Sequence, residues 1–425
     1  MATNVYDEFE WRELLYDATP DLREILGKNS LTAYIGFDPT ASSLHVGSLV
    51  PVMGLARLQR FGHAPIAIVG GGTGLIGDPS GHTAERQLLD TEKVEENLAG
   101  IRGQLERFLD FDATSNAARI VNNLDWLGTV RMIDFLRDVG KYFTVNYMLA
   151  KESVKRRIEA EDGISYTEFT YMMLQAYDYL QLYDRYHCTL QLGGSDQWGN
   201  IVAGADLIRR LRSERAHGLV FPLVTNAAGT KFGKTEAGNV WLDPARTSPY
   251  RFYQYWLNTD DRDVIRHLKY FTWLSKEEIE GLAVDATDHP EKRAAQHALA
   301  DAVTEMVHGE SELSRARQAS LVMFGEAMDS LSVTDILDVF EDVPSSDVER
   351  GKFDGEGIGL LDLLADSGLT ASKGEARRLV RSGGAYMNNI RQNDEHVRVT
   401  VNDLIEGKLV VLRKGQKNYR VVQVI

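Results

Sequence analysis

Two short runs carry the residue types suited to chemistry on a charged substrate. They are Asp38-Pro39-Thr40-Ala41-Ser42-Ser43-Leu44-His45-Val46-Gly47-Ser48 and, far downstream, Gly229-Thr230-Lys231-Phe232-Gly233-Lys234-Thr235. The first reads as a strand that ends in a polar turn and opens a helix. Such a junction presents backbone N–H groups, and here the imidazole of His45, to an anion. The second is a glycine-flanked loop in which Lys231, Lys234 and Thr235 offer two ammonium groups and a hydroxyl. Together they suit a nucleoside triphosphate held from both sides.

Two commoner phosphate motifs fit less well. A Walker loop ending in Gly233-Lys234-Thr235 needs glycine at position 228, and that residue is Ala228. Gly72-Thr73-Gly74-Leu75-Ile76-Gly77 matches the dinucleotide fingerprint and follows the apolar run Ile66-Ala67-Ile68-Val69. Asp78-Pro79-Ser80-Gly81 comes next, however, so no long helix can start where the pyrophosphate would sit.

These residues need a scaffold. A chain of 425 residues points to two or three domains with a core that needs no staples. The one cysteine, Cys188, rules out an internal disulfide, fits a reducing compartment, and sits in an apolar stretch that suits a buried thiol. There is no long uncharged apolar run and no basic-then-apolar leader, so a soluble cytoplasmic protein is expected, with no membrane partner. The net charge of −15 by itself argues against a nucleic-acid partner. Its distribution argues the other way. Residues 338–366 hold nine acidic and two basic residues, residues 371–425 five acidic and eleven basic, and such a reversal marks a boundary between domains with different partners.

Along the chain, 7–27 reads as an amphipathic helix around Pro20, 33–37 as a strand, 46–61 as a helix and 65–69 as a second strand, giving a βαβ unit. Residues 84–160 read as mainly helical, 166–183 as a helix, and 189–192 as a strand closing on Gly193-Gly194-Ser195-Asp196. Strands that end in polar, glycine-rich turns recur at Phe37, Val69 and Leu192, and an open parallel sheet binds ligands off such ends. The expected organisation is an α/β, Rossmann-like parallel-sheet catalytic domain with a helical insertion over 1–245, an all-α domain over 246–343, a polar linker over 344–358 and a small α+β module over 359–425.

Several stretches then resemble one family. His45-Val46-Gly47-Ser48 is similar to the HIGH motif of class I aminoacyl-tRNA synthetases, and Lys231-Phe232-Gly233-Lys234-Thr235 to their KMSKS motif. Tyr34-Ile35-Gly36-Phe37-Asp38-Pro39-Thr40, Gly77-Asp78-Pro79-Ser80-Gly81, Tyr171-Met172-Met173-Leu174-Gln175-Ala176-Tyr177-Asp178 and Gln191 to Gly199 resemble the bacterial-type tyrosyl-tRNA synthetases in particular. The resemblance runs nearly end to end, and the last module resembles the RNA-binding domain first seen in ribosomal protein S-four.

The resemblance implies a tyrosine--tRNA ligase. Tyrosine and ATP give tyrosyl-adenylate and pyrophosphate, and the tyrosyl group then moves to the 3′ end of tRNA(Tyr). The attacking carboxylate is already ionised, so the first step needs alignment and stabilisation of phosphate charge rather than a general base. His45 and Thr40 would donate to the phosphates while Lys231, Lys234 and Thr235 close over them. Mg²⁺ would come with the nucleotide, held by phosphate oxygens and water and not by a tightly bound protein site. Tyr34 and Asp178 would meet the substrate hydroxyl, and Asp78, Tyr171 and Gln175 its ammonium. A carboxylate left unpaired in a buried pocket would reject phenylalanine. Gly36, Asp38, Gly47, Ser48, Gln191, Gly193, Asp196, Gln197 and Lys234 fall where the family holds ATP and adenylate, and Arg86 where it meets pyrophosphate. Departures from the pattern are Ser48 in place of the second histidine of HIGH, Ile35 and Pro51 with no side-chain donor near the ribose, and His82 where a lysine can occur.

In the last module Lys373, Arg377 and Arg381 recur at four-residue spacing beside Arg378, which makes one helix face basic. This suits RNA phosphates. The family also implies a homodimer through the helical insertion near 125–160. A tryptophanyl enzyme of the same superfold is opposed by Tyr34 with Asp178, since an indole would leave that pair without a phenol. A catalytically silent RNA-binding protein is opposed by the presence of His45, Lys231 and Lys234.

Overall fold

The computed structural model describes residues 4–425 apart from 81–89, 160–162, 226–228, 230, 231, 236, 237, 324, 327, 329, 330, 342 and 417. The chain opens with α1 (Val5–Trp11), the short β1 (Asp17–Ala18) and α2 (Leu22–Lys28). The sequence reads as one helix here, but Pro20 cannot donate to a helical ladder and Asp21 turns to a positive φ of 67°, so the helix is two. Then come β2 (Thr32–Phe37), α3 (Leu49–Arg60), β3 (Ala64–Val69), α4 (Thr91–Leu105) and β4 (Arg119–Asn122). Strand β4 interrupts the stretch read as mainly helical. Its side chains are only exposed or half-buried, so it carries neither the alternating nor the continuous apolar pattern of a strand.

Short helices α5 (Leu124–Leu127), α6 (Met132–Asp138), α7 (Val145–Leu149) and α8 (Glu152–Ile158) follow, then the long α9 (Tyr166–Tyr186), β5 (Cys188–Gly194), α10 (Trp198–Arg212) and β6 (His217–Phe221). The sheet order is β1-β6-β5-β2-β3-β4, parallel throughout except for β1 against β6. From β2 the chain runs outward to β3 and β4, and later from β5 to β6 on the other side. Strand order therefore reverses between β2 and β5, and a crevice opens off their carboxyl ends.

Two short strands, β7 (Lys234–Thr235) and β8 (Gly238–Asn239), pair antiparallel. Helices α11 (Pro249–Leu257), α12 (Asp261–Phe271), α13 (Lys276–Asp288), α14 (Ala294–His308), α15 (Glu310–Val322) and α16 (Val333–Val339) come next. The final stretch holds β9 (Ser345–Val348), β10 (Ile358–Gly359), α17 (Leu360–Asp366), α18 (Lys373–Arg381), β11 (Ala385–Met387), β12 (Ile390–Gln392), β13 (Arg398–Val399), β14 (Leu409–Lys414) and β15 (Asn418–Val424). Strands β12-β11-β14-β15-β9 form one sheet and β10 pairs β13. Strand β9 lies in the polar stretch read as a linker. It pairs in parallel with β15 through its backbone, while only Val348 of its side chains is buried, so composition conceals it.

The chain divides into two compact units, Met1–Asp243 with Thr259–Leu299 and Pro244–Asn258 with Ala300–Ile425. In the first, Tyr34, Ile66, Ile68, Trp126, Met172, Tyr179 and Leu207 belong to one core against the sheet. Helix α12 is held to this unit by two buried guanidiniums. Arg12 donates to the carbonyls of Lys269, Thr272 and Leu274, and Arg57 to those of Lys269, Tyr270 and Thr272, which satisfies the carboxyl end of the helix. In the second unit, Phe353, Leu363, Val380, Val399, Val410 and Val422 pack together, and Ala319, Val322, Ile336, Phe340 and Tyr419 form another cluster. Among the described residues no helix is long and apolar enough to cross a membrane.

Candidate active site

A cavity of about 240 Å³ lies off the carboxyl ends of β2 and β5. Tyr34, Gly36 and Asp38 reach it from β2 and the turn after it, Gln191 and Gly193 from β5, Asp196 and Gln197 from the following turn, Tyr171, Gln175 and Asp178 from α9, and Asp78 from the loop beyond β3. Tyr171, Gln175 and Asp178 share a face because they stand four and three residues apart on a helix.

At its inner wall, Asp178 accepts from the Trp126 indole Nε1 at 2.6 Å and from Asn123 Nδ2 at 2.9 Å. Burial pushes its carboxyl up to about 7; these two hydrogen bonds pull the other way and the nearby Asp38 adds to the rise. The Tyr34 hydroxyl is buried without a hydrogen-bond partner among the described residues, as is Gln191 Oε1. Burial first, then Asp178, hold the Tyr34 phenol well above its ordinary range, so it stays a neutral donor. An orphaned donor beside a carboxylate suits a ligand hydroxyl, which can both accept and donate.

A second polar cluster centres on Asp78, which accepts from the Ser80 N–H at 2.8 Å and from Gln197 Nε2 at 2.7 Å. Burial, followed by repulsion from Asp38, pushes its carboxyl up to about 6. Tyr171 donates to Asp38 Oδ2 at 3.0 Å, Thr73 to Asp38 Oδ1 at 3.1 Å, and Asn123 Nδ2 to the Thr73 hydroxyl at 2.9 Å. Asn200 Nδ2 donates to Gln175 Oε1 at 2.9 Å. Four carboxyls, of Asp38, Asp78, Asp178 and Asp196, line one small cavity, and two of them have raised affinity for protons, so a cation would relieve the site.

The turn after Asp38 is pinned by Asn97 Nδ2, which donates to the Pro39 carbonyl at 2.8 Å. Thr40 is exposed beside it. His45 caps the next turn: its Nδ1 accepts the Gly47 N–H at 3.0 Å, which leaves the ring proton on Nε2. Gly47 permits this cap, because a Cβ there would lie 2.7 Å from His45 Cε1. Ser48 stands at the amino end of α3 and makes no capping hydrogen bond.

Thr40, His45, Gly47 and Ser48 do not line the cavity; they follow its rim in sequence. The lysine loop meets them through its backbone. The Val46 N–H donates to the Val240 carbonyl at 2.9 Å, the Val240 N–H to the Gly233 carbonyl at 3.1 Å, and His45 bridges to Trp241. Phe232 is buried against Phe271, stacked at 5.2 Å, and His267, edge-on at 4.9 Å. Lys234 and Thr235 form β7, while Lys231 and Arg86 lie outside the described residues.

Asn123, Trp126, Thr73 and Asn200 carry no functional signature of their own in the sequence. The available signal was the polar Asn122-Asn123 pair directly after Ile120-Val121, another strand end turning polar. In the second unit, Lys373 pairs with Asp362, and Arg377 and Arg381 both pair with Glu395, at 3.4 Å and 3.0 Å. Arg378 is exposed on the same helix. The basic face thus carries its own counter-charges, on exposed pairs worth little to stability.

Residues 27–325 match the family described as tRNA synthetases class I (W and Y), and residues 335–422 match the Tyrosine--tRNA ligase SYY-like C-terminal domain. The chain is 54% identical over 423 residues to the Tyrosine--tRNA ligase of Roseiflexus castenholzii, covering 100% of both. It belongs to the tyrosyl-tRNA synthetases of class I. The Tyrosine--tRNA ligase of Geobacillus kaustophilus is 53% identical over 419 residues, 98% of each chain. Among solved structures, a C-terminally truncated Aspergillus nidulans mitochondrial tyrosyl-tRNA synthetase superposes with a TM-score of 0.70 at 30% identity, over 76% of this chain and 95% of that one. The tyrosyl-tRNA synthetase of Archaeoglobus fulgidus, complexed with L-tyrosine, shares the fold with a TM-score of 0.53 at 16% identity, over 74% of this chain and 99% of that one.

Proposed function

We propose that the cavity selects L-tyrosine and that the two motif loops activate it with MgATP, before the tyrosyl group passes to tRNA(Tyr). The observation that carries this reading is the orphaned Tyr34 hydroxyl beside Asp178 at the wall of a cavity whose other polar cluster is anionic. A phenol at one end and an ammonium at the other meet both needs. Asp78, Tyr171 and Gln175 take the ammonium; Asp38, Gly36, Gln191, Gly193, Asp196 and Gln197 take the adenylate and ribose. The substrate carboxylate attacks the α-phosphorus of ATP, the bond to the bridging oxygen breaks, and pyrophosphate leaves with the electron pair. His45 Nε2–H, Thr40, Lys231, Lys234 and Thr235 stabilise charge growing on the leaving group, with Arg86 on pyrophosphate and Mg²⁺ carried in by the nucleotide. A terminal ribose hydroxyl of the tRNA then attacks the tyrosyl carbonyl and AMP departs.

The helical stretch 246–343 and the module 359–425 engage the tRNA, the latter through Lys373, Arg377, Arg378 and Arg381. Exposed Met132, Ile133 and Leu136 on α6 and Val145, Tyr147 and Leu149 on α7 support a homodimer through this insertion. Pyrophosphate exchange with each amino acid in turn tests the reading. Exchange should depend on tyrosine and be weak with phenylalanine and tryptophan; equal exchange with phenylalanine would remove the role of Tyr34 and Asp178.

A further inference from the structure

A second cavity, of about 350 Å³, lies at the opposite edge of the same sheet, where Thr32 opens β2, Ala64 opens β3 and Arg119 opens β4. Thr114 and Ser115 from the preceding loop and Arg185, Tyr186 and His187 from the end of α9 complete its wall. It shares no lining residue with the first cavity. No acidic side chain lines it, in a chain whose net charge is −15.

Among the described residues neither Arg119 nor Arg185 is in an ion pair. Elsewhere in the same unit Arg12, Arg102, Arg137, Arg157, Arg209 and Arg212 each hold a carboxylate. The Arg119 guanidinium lies 5.5 Å over the Tyr186 ring and that of Arg185 5.2 Å over Trp126, with Arg185 Nε donating to Gln181 Oε1 at 3.1 Å. Stacking fixes both forks while leaving most of their N–H groups for another acceptor. The carboxyl end of α9 favours a cation at Arg185, but Arg119 opens a strand and gains nothing from it. Both arginines are exposed at a hollow that no acid lines, so an anionic occupant would meet two cations and no carboxylate there.

We propose that this cavity is a second ligand site, taking a phosphate monoester of mononucleotide size through the guanidiniums of Arg119 and Arg185. Its volume falls in the range of small-molecule pockets. Two arginine forks match the geometry of a phosphate, and the hydroxyls of Thr114 and Ser115 add polar partners.

The test fills the active site of the full-length protein with a non-hydrolysable tyrosyl-adenylate analogue and titrates AMP by calorimetry. Saturable binding of one AMP per chain is expected, with adenosine far weaker. Arg119→Ala and Arg185→Ala should each weaken it at least about tenfold, the loss of one charge-assisted hydrogen bond, at unchanged melting temperature. Lys234→Ala should leave it intact, and Arg119→Ala should leave tyrosine-dependent pyrophosphate exchange intact. Absence of binding at millimolar AMP, equal binding of adenosine, or binding that survives both arginine substitutions would each overturn the proposal without touching the first site.

Discussion

Gly233 of the lysine loop lies directly against Gly47 of the histidine motif. A Cβ built on Gly233 would stand 3.2 Å from the Gly47 nitrogen and 2.9 Å from Val46 Cγ2, and its φ is +85°. The two motifs therefore meet backbone to backbone, and their registry depends on a position that favours glycine on two counts, space and dihedral. Gly233→Ala should cost about 1–3 kcal/mol of local strain and displace the loop. Rapid-mixing measurements should show adenylate formation slowed roughly ten- to a hundredfold, with the tyrosine dissociation constant unchanged. An equal loss in both would mean that the loop also shapes the amino-acid pocket.

Trp126→Phe removes the 2.6 Å donor to Asp178. The bond favours the ionised carboxylate, so its loss should move the Asp178 titration further upward. At neutral pH tyrosine should bind about ten- to a hundredfold more weakly, the range for a hydrogen bond to a charged group. A packing defect alone would weaken binding at all pH values without shifting the midpoint of its pH profile, so that midpoint separates the two causes.

Tyrosine binding should itself depend on pH through Asp178 and Asp78, whose carboxyls are pushed up to about 7 and about 6. An incoming ammonium favours ionised Asp78, and a phenol hydroxyl that donates to Asp178 favours its carboxylate. Lowering the pH from 8 to 5 therefore makes binding release protons, and affinity should fall towards about tenfold per pH unit for each group once below its pKa. The unliganded fold responds with the opposite sign. Both carboxyls hold protons in the folded state above the pH, about 4, at which they ionise when unfolded, so their contribution to stability declines from about pH 4 to 7. Thermal melts should show tyrosine stabilising the protein more at pH 8 than at pH 5.

Arg157 and Glu168 form a buried ion pair at 2.9 Å, with side chains 3% and 1% exposed, that ties α8 to the start of α9. Glu168→Ala would leave the guanidinium buried and unpaired, so unfolding experiments should show a loss of about 3–5 kcal/mol. The double substitution Arg157→Met with Glu168→Ala should recover much of it, because no charge is then stranded.

The parts of the site legible in the sequence are those built from adjacent residues. Asp38 to Ser48 reads as strand, turn and helix because the apolar run stops at Phe37 and starts again at Leu49, and β2 and α3 follow that pattern. Asp178 could be placed only through the family resemblance, since Trp126 and Asn123, which hold it, come from a different segment. Strand β4, which delivers them, was illegible because none of its side chains is fully buried. The same holds for Phe232: its aromatic socket on α12 depends on how distant helices pack, and no local pattern encodes that.

The grip of Arg12 and Arg57 on the last turn of α12 bears on how the chain can be cut. A fragment stopped near residue 245 would strip both guanidiniums of their carbonyl acceptors and take away the seat of Phe232. A piece that keeps these contacts around the first cavity must reach Leu274, even though the intervening stretch 244–258 belongs to the other half of the molecule.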